Sequence, residues 1–213
     1  MRKYWDAARS HRLLDFFENL IGGLAALSIV PVVRTLRDFF DAKDSIGDIM
    51  VPAFIGAAAI SVWEFVGGAG LQQAADSLAS PQWSLDAIGL EVLTIGYEVM
   101  GGWGLWLFSF DTLLWGVGLV AASRMGFAAP EKASRRWAWY TLVFGLILLL
   151  AFIFDVARFG SWRVMNWAAG ILFLLAYFVL LPVWLIWIGR SMQPSNTSRS
   201  QLMEDTEPAT GGL

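Results

Sequence analysis

The sequence feature that most constrains the fold is an uncharged run of 26 residues, from Val164 to Gly189. It is longer than the ~20 apolar residues that a helix needs to cross the ~30 Å hydrocarbon core of a bilayer. The run begins after Arg163, ends before Arg190 and carries tryptophans near both ends, where amphipathic rings sit at membrane interfaces. Because lipid offers the backbone no hydrogen bonds, every spanning segment should be a helix. We therefore predict an all-α, polytopic integral membrane helical bundle surrounded by the lipid bilayer.

The composition of the 213-residue chain agrees with a membrane domain. Hydrophobic residues make up 57% of it and charged residues only 15%, whereas soluble proteins carry about 25% charged residues. There is no cysteine, and His11 is the single histidine, which excludes disulfides, thiolate metal sites and multi-histidine haem or zinc sites. The net charge of −3 argues against a nucleic-acid partner. We expect no metal and no cofactor.

Charged and polar connectors divide the sequence into three parts. Residues 1–18 have the pattern of an amphipathic interfacial segment, and residues 191–213 have the Ser-, Thr-, Pro- and Gly-rich composition of a disordered tail. Between them, residues 19–190 should form the transmembrane helical bundle. Its predicted spans cover approximately residues 19–33, 49–75, 101–123, 137–154 and 164–189.

The third apolar region is ambiguous, because residues 87–123 would make a helix of about 55 Å, well beyond the thickness of a bilayer. One interpretation is an amphipathic lead over residues 87–100, bent at Gly101 and Gly102 and followed by one span, which gives five spans in total. The other is a hairpin of two short helices, which gives six. The distribution of Lys and Arg slightly favours six spans, whereas the weakness of residues 87–100 as a span favours five. Both place the C-terminal tail on the cytoplasmic side.

Four segments carry a resemblance to a known family. They are residues 22–34, residues 63–68 (Trp-Glu-Phe-Val-Gly-Gly), residues 104–125 with a Ser-Arg step near their end, and the step Arg135-Arg136-Trp137. Over about residues 20–190 the pattern resembles an uncharacterised family of small polytopic bacterial membrane proteins, known as a domain of unknown function. The resemblance implies a helical bundle in the bacterial inner membrane and no particular activity. Members of that family usually have a further N-terminal span, where this chain has its charged segment.

Acidic residues inside the apolar regions are the candidate functional groups. Glu64 lies near the middle of the second predicted span and Asp111 near the middle of the third, while Glu91 and Glu98 precede Asp111. A charge at the centre of a bilayer costs about 2.5–3.5 kcal/mol even on insertion scales, so such residues are usually functional. They predict a proton or ion pathway, with Glu64 and Asp111 facing an internal cavity.

A structural role is the other interpretation of these carboxyl groups, and the one that the sequence alone favours. Hydrogen bonds to Ser61, to Thr112 or to the backbone would hold them in the core of the bundle. Farther along the chain, Asp155 and Arg158 are three residues apart at a helix end, a spacing that allows a salt bridge. We interpret that pair as an interfacial anchor.

The chain contains twelve tryptophans. Those at the ends of predicted spans suit an aromatic belt at the membrane interfaces: Trp83, Trp137, Trp139, Trp162, Trp167, Trp184 and Trp187. Four lie deeper and are candidates for contact with an apolar ligand or a partner protein, with plain packing as the alternative: Trp63, Trp103, Trp106 and Trp115.

Small residues at helical spacing predict where helices pack against each other. Their short side chains allow two backbones to approach closely, which favours helix association in lipid. The same surfaces would also suit the helices of a partner. The pairs are Gly22 with Ala26, Ala53 with Ala57, and Gly118 with Ala122.

The sequence lacks a Gly-rich phosphate loop, a Gly-x-Ser-x-Gly elbow and a His-Glu-x-x-His zinc pair. We therefore expect a protein that is not an enzyme, and foremost an accessory or structural subunit, or an interaction module, of a membrane complex or homo-oligomer. The alternative is a small proton- or ion-coupled transporter or channel that uses the intramembrane acidic residues. An accessory subunit should present an apolar, Trp-rich face without a polar cavity, whereas a transporter should bring acidic groups together.

Overall fold

The computed structural model describes residues 12–41, 45–78, 87–157 and 163–191. Apart from short connectors these residues form helices, which confirms the all-α prediction. In chain order the elements are α1 (Arg12–Phe40), α2 (Ser45–Leu78), α3 (Ala87–Ala128), α4 (Arg135–Ala157), α5 (Arg163–Leu175), a π-helical segment (Ala176–Leu180) and α6 (Leu181–Ser191). Residues 1–11 and 192–213 lie outside the described residues, so the interfacial segment there and the disordered tail stay predictions.

Five stretches are long and apolar enough to cross a bilayer, which agrees with the five-span interpretation. Helix α3 continues without a break through Gly101 and Gly102. The six-span alternative is therefore wrong, since it requires the chain to reverse its direction at these glycines. The candidate spans are Asn19–Phe40, Ile46–Gly70, Gly102–Ala128, Arg135–Ala157 and Trp167–Ser191, the last of which runs through α5, the π-helical segment and α6.

Helix α1 differs from its predicted span at both ends. At its beginning, residues 12–18 belong to the same helix as the span, so no break separates them. At its end, the helix continues past Arg34 and Arg37 to Phe40. Both arginines are exposed, whereas Leu36 and Phe40 are buried. The apolar face thus continues while the long basic side chains reach outward, as they commonly do near the ends of spans.

The helix ends have identifiable local causes. After α1, Asp41 adopts a left-handed conformation with a φ of 51°, which Asp tolerates better than most residues. Pro130 follows the end of α3, and proline cannot continue a helix. Ser134 then caps α4, because its Oγ accepts a hydrogen bond of 3.2 Å from the backbone N–H of Trp137.

Each helix packs against the next one in the chain, and α3 lies between α2 and α4. Aromatic rings join helices that are more distant in sequence. The Phe40 ring of α1 stacks on Trp137 of α4, with 5.6 Å between the ring centroids. The Phe54 ring of α2 lies 5.1 Å from that of Trp115 on α3 and 6.1 Å from that of Trp184 on α6. Phe54 therefore joins α2, α3 and α6 in one core.

Helices α3 and α4 meet backbone to backbone at Gly116 and Gly145. A Cβ atom on Gly145 would lie 3.0 Å from the carbonyl oxygen of Gly116, and one on Gly116 would lie 3.2 Å from the carbonyl oxygen of Gly145. Elsewhere, Gly22 and Gly118 each receive a phenylalanine ring of α2 that an added Cβ would meet. The predicted packing role of Gly22 and Gly118 is therefore confirmed.

A π-helical turn interrupts the fifth span at Ala176–Leu180. Pro182 provides a physical reason, because proline has no N–H for the carbonyl four residues earlier and its ring clashes with that carbonyl. The carbonyl of Leu180 accepts a hydrogen bond of 2.9 Å from the hydroxyl of Tyr140 on α4, which anchors the turn. Turns of this kind inside α-helices are frequent at functional sites, and this one carries Tyr177.

Two tryptophans assigned to the aromatic belt are instead buried inside the bundle, since Trp137 is 1% exposed and Trp184 is 0% exposed. The Nε1 of Trp184 donates a hydrogen bond of 3.0 Å to Oγ1 of Thr141. The belt prediction is wrong for these two residues, because a position at the end of a span does not decide which way a side chain faces. Trp139 and Trp167 are exposed, as a belt requires. Two others lie outside the described residues: Trp83 and Trp162.

Candidate functional site

Two acidic side chains from different helices come together in the bundle. Glu64 belongs to α2 and Asp111 to α3, and their carboxyl groups are close enough to interact electrostatically. Asp111 is buried, with 4% of its surface exposed, and Glu64 is partly buried. The sequence indicated each residue by its depth in a span, and the structure adds that the two are neighbours.

Both carboxyl groups lie well inside the candidate spans. Glu64 lies six residues, or about 9 Å, before the end of its span at Gly70. Asp111 lies nine residues, or about 13 Å, after the start of its span at Gly102. Helices α2 and α3 are adjacent and run in opposite directions, so both span ends lie on the same side of the bundle. The pair is therefore about 10 Å below one face of a ~30 Å hydrocarbon core.

Hydroxyl groups surround the carboxyl group of Asp111. Ser61 of α2 and Tyr177 of the π-helical turn both lie close enough to interact with it. Thr112 is close to the Tyr177 hydroxyl but not bonded to Asp111. Its Oγ1 donates a hydrogen bond of 2.9 Å to a backbone carbonyl one turn earlier, which leaves its lone pairs to accept. The cluster thus draws on α2, α3 and the fifth span.

Three polar atoms of this cluster are buried and have no hydrogen-bond partner within the described ranges: Oδ1 of Asp111, Oε1 of Glu64 and the hydroxyl of Tyr177. The Tyr177 hydroxyl lies near Asp111 without reaching the geometry of a hydrogen bond. Buried polar groups are normally paired, and leaving one unpaired costs about 1–3 kcal/mol. The cluster therefore has unused capacity to bind a proton or a small ligand.

No basic side chain of the two helices balances the carboxyl pair at close range. The span Ile46–Gly70 contains neither Lys nor Arg. Along α3 the nearest basic residue is Arg124, which follows Asp111 by about 20 Å of helix. Two negative charges repel each other strongly in surroundings of low dielectric constant. A proton or a small cation bound at either carboxyl group would remove that repulsion.

Tyr177 is the member of the cluster that the sequence did not indicate. It lies inside the long uncharged run, where an aromatic residue reads as part of an apolar span. Its ring packs near Phe108 of α3, with 6.2 Å between the centroids, and its hydroxyl lies near Asp111. The sequence signal that could have indicated Tyr177 is its hydroxyl group, because a buried tyrosine hydroxyl usually lies next to a polar group.

Asp155 of α4 is buried, with 1% of its surface exposed. Its Oδ2 accepts a hydrogen bond from the hydroxyl of Ser109 on α3. Asp155 therefore joins α3 to α4, a role that the sequence did not indicate. Arg158 lies outside the described residues, so the salt bridge with Asp155 stays a prediction.

The other two acidic candidates are remote from the cluster. Glu91 and Glu98 are exposed on the first part of α3, before its candidate span begins at Gly102. Along a continuous helix they lie about 30 Å and about 20 Å from Asp111. The structure thus brings together Glu64 and Asp111 but not Glu91 or Glu98.

The four deeper tryptophans do not line a common pocket. Trp63 is 68% exposed, and Trp103 and Trp106 are exposed as well. Trp115 is buried against Phe54. The prediction of one ligand pocket lined by all four tryptophans is therefore wrong, because three of the side chains face outward. Contact with a partner protein stays a prediction for those three.

Comparison with known protein families, with curated proteins and with solved structures finds no match to this chain. The resemblance to a family of small bacterial membrane proteins therefore stays a prediction. In the part of the chain that the structure describes, no group of three or more His, Cys, Asp or Glu side chains could hold a metal ion. The role of the carboxyl cluster has to be inferred from its geometry and chemistry.

Proposed function

We propose that the chain is a multi-pass membrane protein that binds and releases a proton or a small monovalent cation at Glu64 and Asp111, as part of ion-coupled transport or conduction. The observation that carries this proposal is the meeting of two carboxyl groups from α2 and α3, with buried oxygen atoms that no described residue binds. Ionisable groups are costly at membrane depth and are usually found there for a functional reason.

The neighbouring hydroxyl groups support this role. A hydroxyl donates a hydrogen bond to a carboxylate and accepts one from a carboxylic acid, so Ser61 and Tyr177 suit both states of Asp111. Carboxylate and hydroxyl oxygens are also suitable ligands for small hard cations. The cluster can therefore accommodate loading and unloading with rotations of hydroxyl groups alone.

We further infer that the protein resides in the bacterial inner membrane with its C-terminal tail in the cytoplasm. Lys and Arg concentrate on the cytoplasmic side of membrane proteins. Exposed basic residues lie at the end of the bundle where α6 terminates: Arg34, Arg37, Arg124, Lys132, Arg135, Arg136 and Arg190. In this orientation the carboxyl pair lies nearer the opposite, periplasmic face.

Ion flux into proteoliposomes tests the proposal. The vesicles contain a pH-sensitive dye, an imposed membrane potential drives protons, and gradients of Na⁺ and K⁺ are measured in parallel. We expect flux through the native protein and loss of most of it in Glu64→Gln and Asp111→Asn, because an amide cannot carry the charge. Glu91→Gln and Glu98→Gln make the same chemical change outside the cluster and should retain the native flux.

Folding is checked separately in each variant by circular dichroism and gel filtration in detergent. Glu64→Asp keeps the carboxyl group and should retain part of the flux even if the amide variants are less stable. Native flux in well-folded Glu64→Gln and Asp111→Asn would contradict the proposal. Absence of proton, Na⁺ and K⁺ flux in the folded native protein would contradict it as well.

The outward-facing tryptophans favour a second function, that of an accessory subunit of a membrane complex. Trp63 is exposed next to Glu64 in the sequence and so lies below the interface, where tryptophans usually concentrate. Extraction in mild detergent followed by mass spectrometry should then recover a partner protein in stoichiometric amount. Trp63→Leu should lower its yield, whereas Trp167→Leu, at an exposed span end, should not. Recovery of the chain alone would count against this function.

A further inference from the structure

The end of α6 bears a cavity that is separate from the carboxyl cluster. It is an open groove with a volume of about 380 Å³, and its described lining is one stripe of α6: Val183, Ile186, Trp187, Arg190 and Ser191. These positions are three or four residues apart, so they share a face of the helix. The stripe is apolar at Val183 and Ile186 and polar at Arg190 and Ser191, where the candidate span ends. The cavity thus changes from apolar to polar along the expected membrane normal.

A second arginine, Arg136 of α4, lies at the same level of the bundle. The rings of Tyr140 and Trp187 are in contact, with 5.7 Å between their centroids, which holds α4 against α6. Arg136 lies one turn before Tyr140, and Arg190 lies nearly one turn after Trp187. Because α4 and α6 run in opposite directions, both arginines lie on the same side of this ring contact. Both arginines are exposed, and neither forms an ion pair within the described ranges. Two exposed positive charges therefore lie at this end of the bundle.

We propose that this cavity binds an anionic phospholipid of the phosphatidylglycerol type. The lipid phosphate interacts with Arg190 and Arg136, and an acyl chain follows Val183 and Ile186 toward the middle of the bilayer. The Trp187 ring lies between the two regions, where an amphipathic ring is most favourable. A free phosphate ion would use only the polar end of the cavity. A lipid matches both halves, and its charge matches the basic end of the bundle.

Lipid binding to the purified full chain tests this proposal. Dioleoyl phosphatidylglycerol and dioleoyl phosphatidylcholine are titrated into the detergent-solubilised protein, and bound lipid is counted by native mass spectrometry. We expect the anionic lipid to bind more tightly. Arg190→Gln and Arg136→Gln should each weaken its binding about fivefold, which corresponds to the ~1 kcal/mol contributed by one basic side chain near a membrane surface.

Arg124→Gln is the matched control, because Arg124 is exposed at the same end of the bundle but belongs to α3. It should leave the binding unchanged, and Arg190→Lys should retain most of it. Equal affinity for the two lipids, an equal loss in Arg124→Gln, or displacement of the lipid by inorganic phosphate would overturn the proposal. Neither arginine belongs to the carboxyl cluster, so this outcome is independent of the ion-flux result.

Discussion

Replacement of Gly145 by alanine probes the contact between α3 and α4. The added Cβ would lie 3.0 Å from the carbonyl oxygen of Gly116, 3.0 Å from Cγ2 of Val120 and 3.1 Å from Cβ of Leu119. The oxygen is part of the backbone, and the Leu119 Cβ is one bond from it, so neither can swing away. The two helices must therefore separate by a few tenths of an ångström to admit the methyl group.

Two opposing contributions determine the change in the free energy of unfolding. Overpacking a well-packed interior costs about 1–3 kcal/mol, whereas alanine is better than glycine inside a helix by up to about 1 kcal/mol. We expect Gly145→Ala to destabilise the fold by about 1–2 kcal/mol. The assay is unfolding in mixed detergent micelles, followed by tryptophan fluorescence.

Gly170→Ala on α5 is the control, because nothing lies within 4 Å of its added Cβ. It carries the same gain in helix propensity without the clash, so its stability should equal or exceed that of the native protein. If Gly145→Ala were as stable as Gly170→Ala, the close approach of α3 and α4 would be refuted.

Three further substitutions test individual parts of the structure. Thr141→Val removes the acceptor of the buried Trp184 N–H and should lower the free energy of chemical unfolding by about 1–3 kcal/mol. Thr141→Ser keeps the hydroxyl and should lower it less. Equal losses in the two variants would contradict the hydrogen bond. Ser134→Ala removes the N-cap of α4 and should lower the free energy of unfolding by about 1 kcal/mol in the same assay. Ser134→Asp supplies another capping oxygen and should retain the stability. An alanine variant as stable as the native protein would argue against the cap. Tyr177→Phe removes a hydroxyl without a hydrogen bond in the described ranges, so stability should not fall, yet ion flux should decrease because the hydroxyl neighbours Asp111. Native flux in this variant would show that Tyr177 has no part in the site.

The number of spans was predictable because most of them are long apolar runs bounded by charged residues. The third region was ambiguous for a physical reason. Residues 87–100 are apolar enough to be helical but carry too many polar groups for a clear span, and hydropathy does not report where a helix reverses. The thickness of the bilayer does not limit the length of a helix that extends out of it, and α3 is one continuous helix over Ala87–Ala128.

The burial of Trp137 and Trp184 shows a second limit of sequence reasoning. Their positions near span ends were read correctly, but depth along a span does not specify orientation around the helix axis. That orientation depends on partners from distant parts of the chain, namely the Phe40 ring for Trp137 and the Thr141 hydroxyl for Trp184. Such pairings arise only when the bundle assembles.

The candidate site was predictable in part. Glu64 and Asp111 stood out one by one, because a carboxyl group in an apolar run is costly. Their meeting depends on how α2 and α3 are rotated against each other, which spacing within one helix does not determine. Tyr177 was missed because its ring counts as apolar and its orientation depends on the turn before Pro182.

The central claim is that Glu64 and Asp111 take up and release a proton or a cation inside the bundle. Infrared difference spectroscopy of the reconstituted protein tests it most directly, because a carboxylic acid and a carboxylate absorb at different frequencies. A change of pH or of cation concentration should produce carboxyl bands that Glu64→Gln and Asp111→Asn diminish and Glu91→Gln retains. The account would be contradicted if the native protein is folded and only its solvent-exposed carboxyl groups give bands that change with pH or with cation concentration.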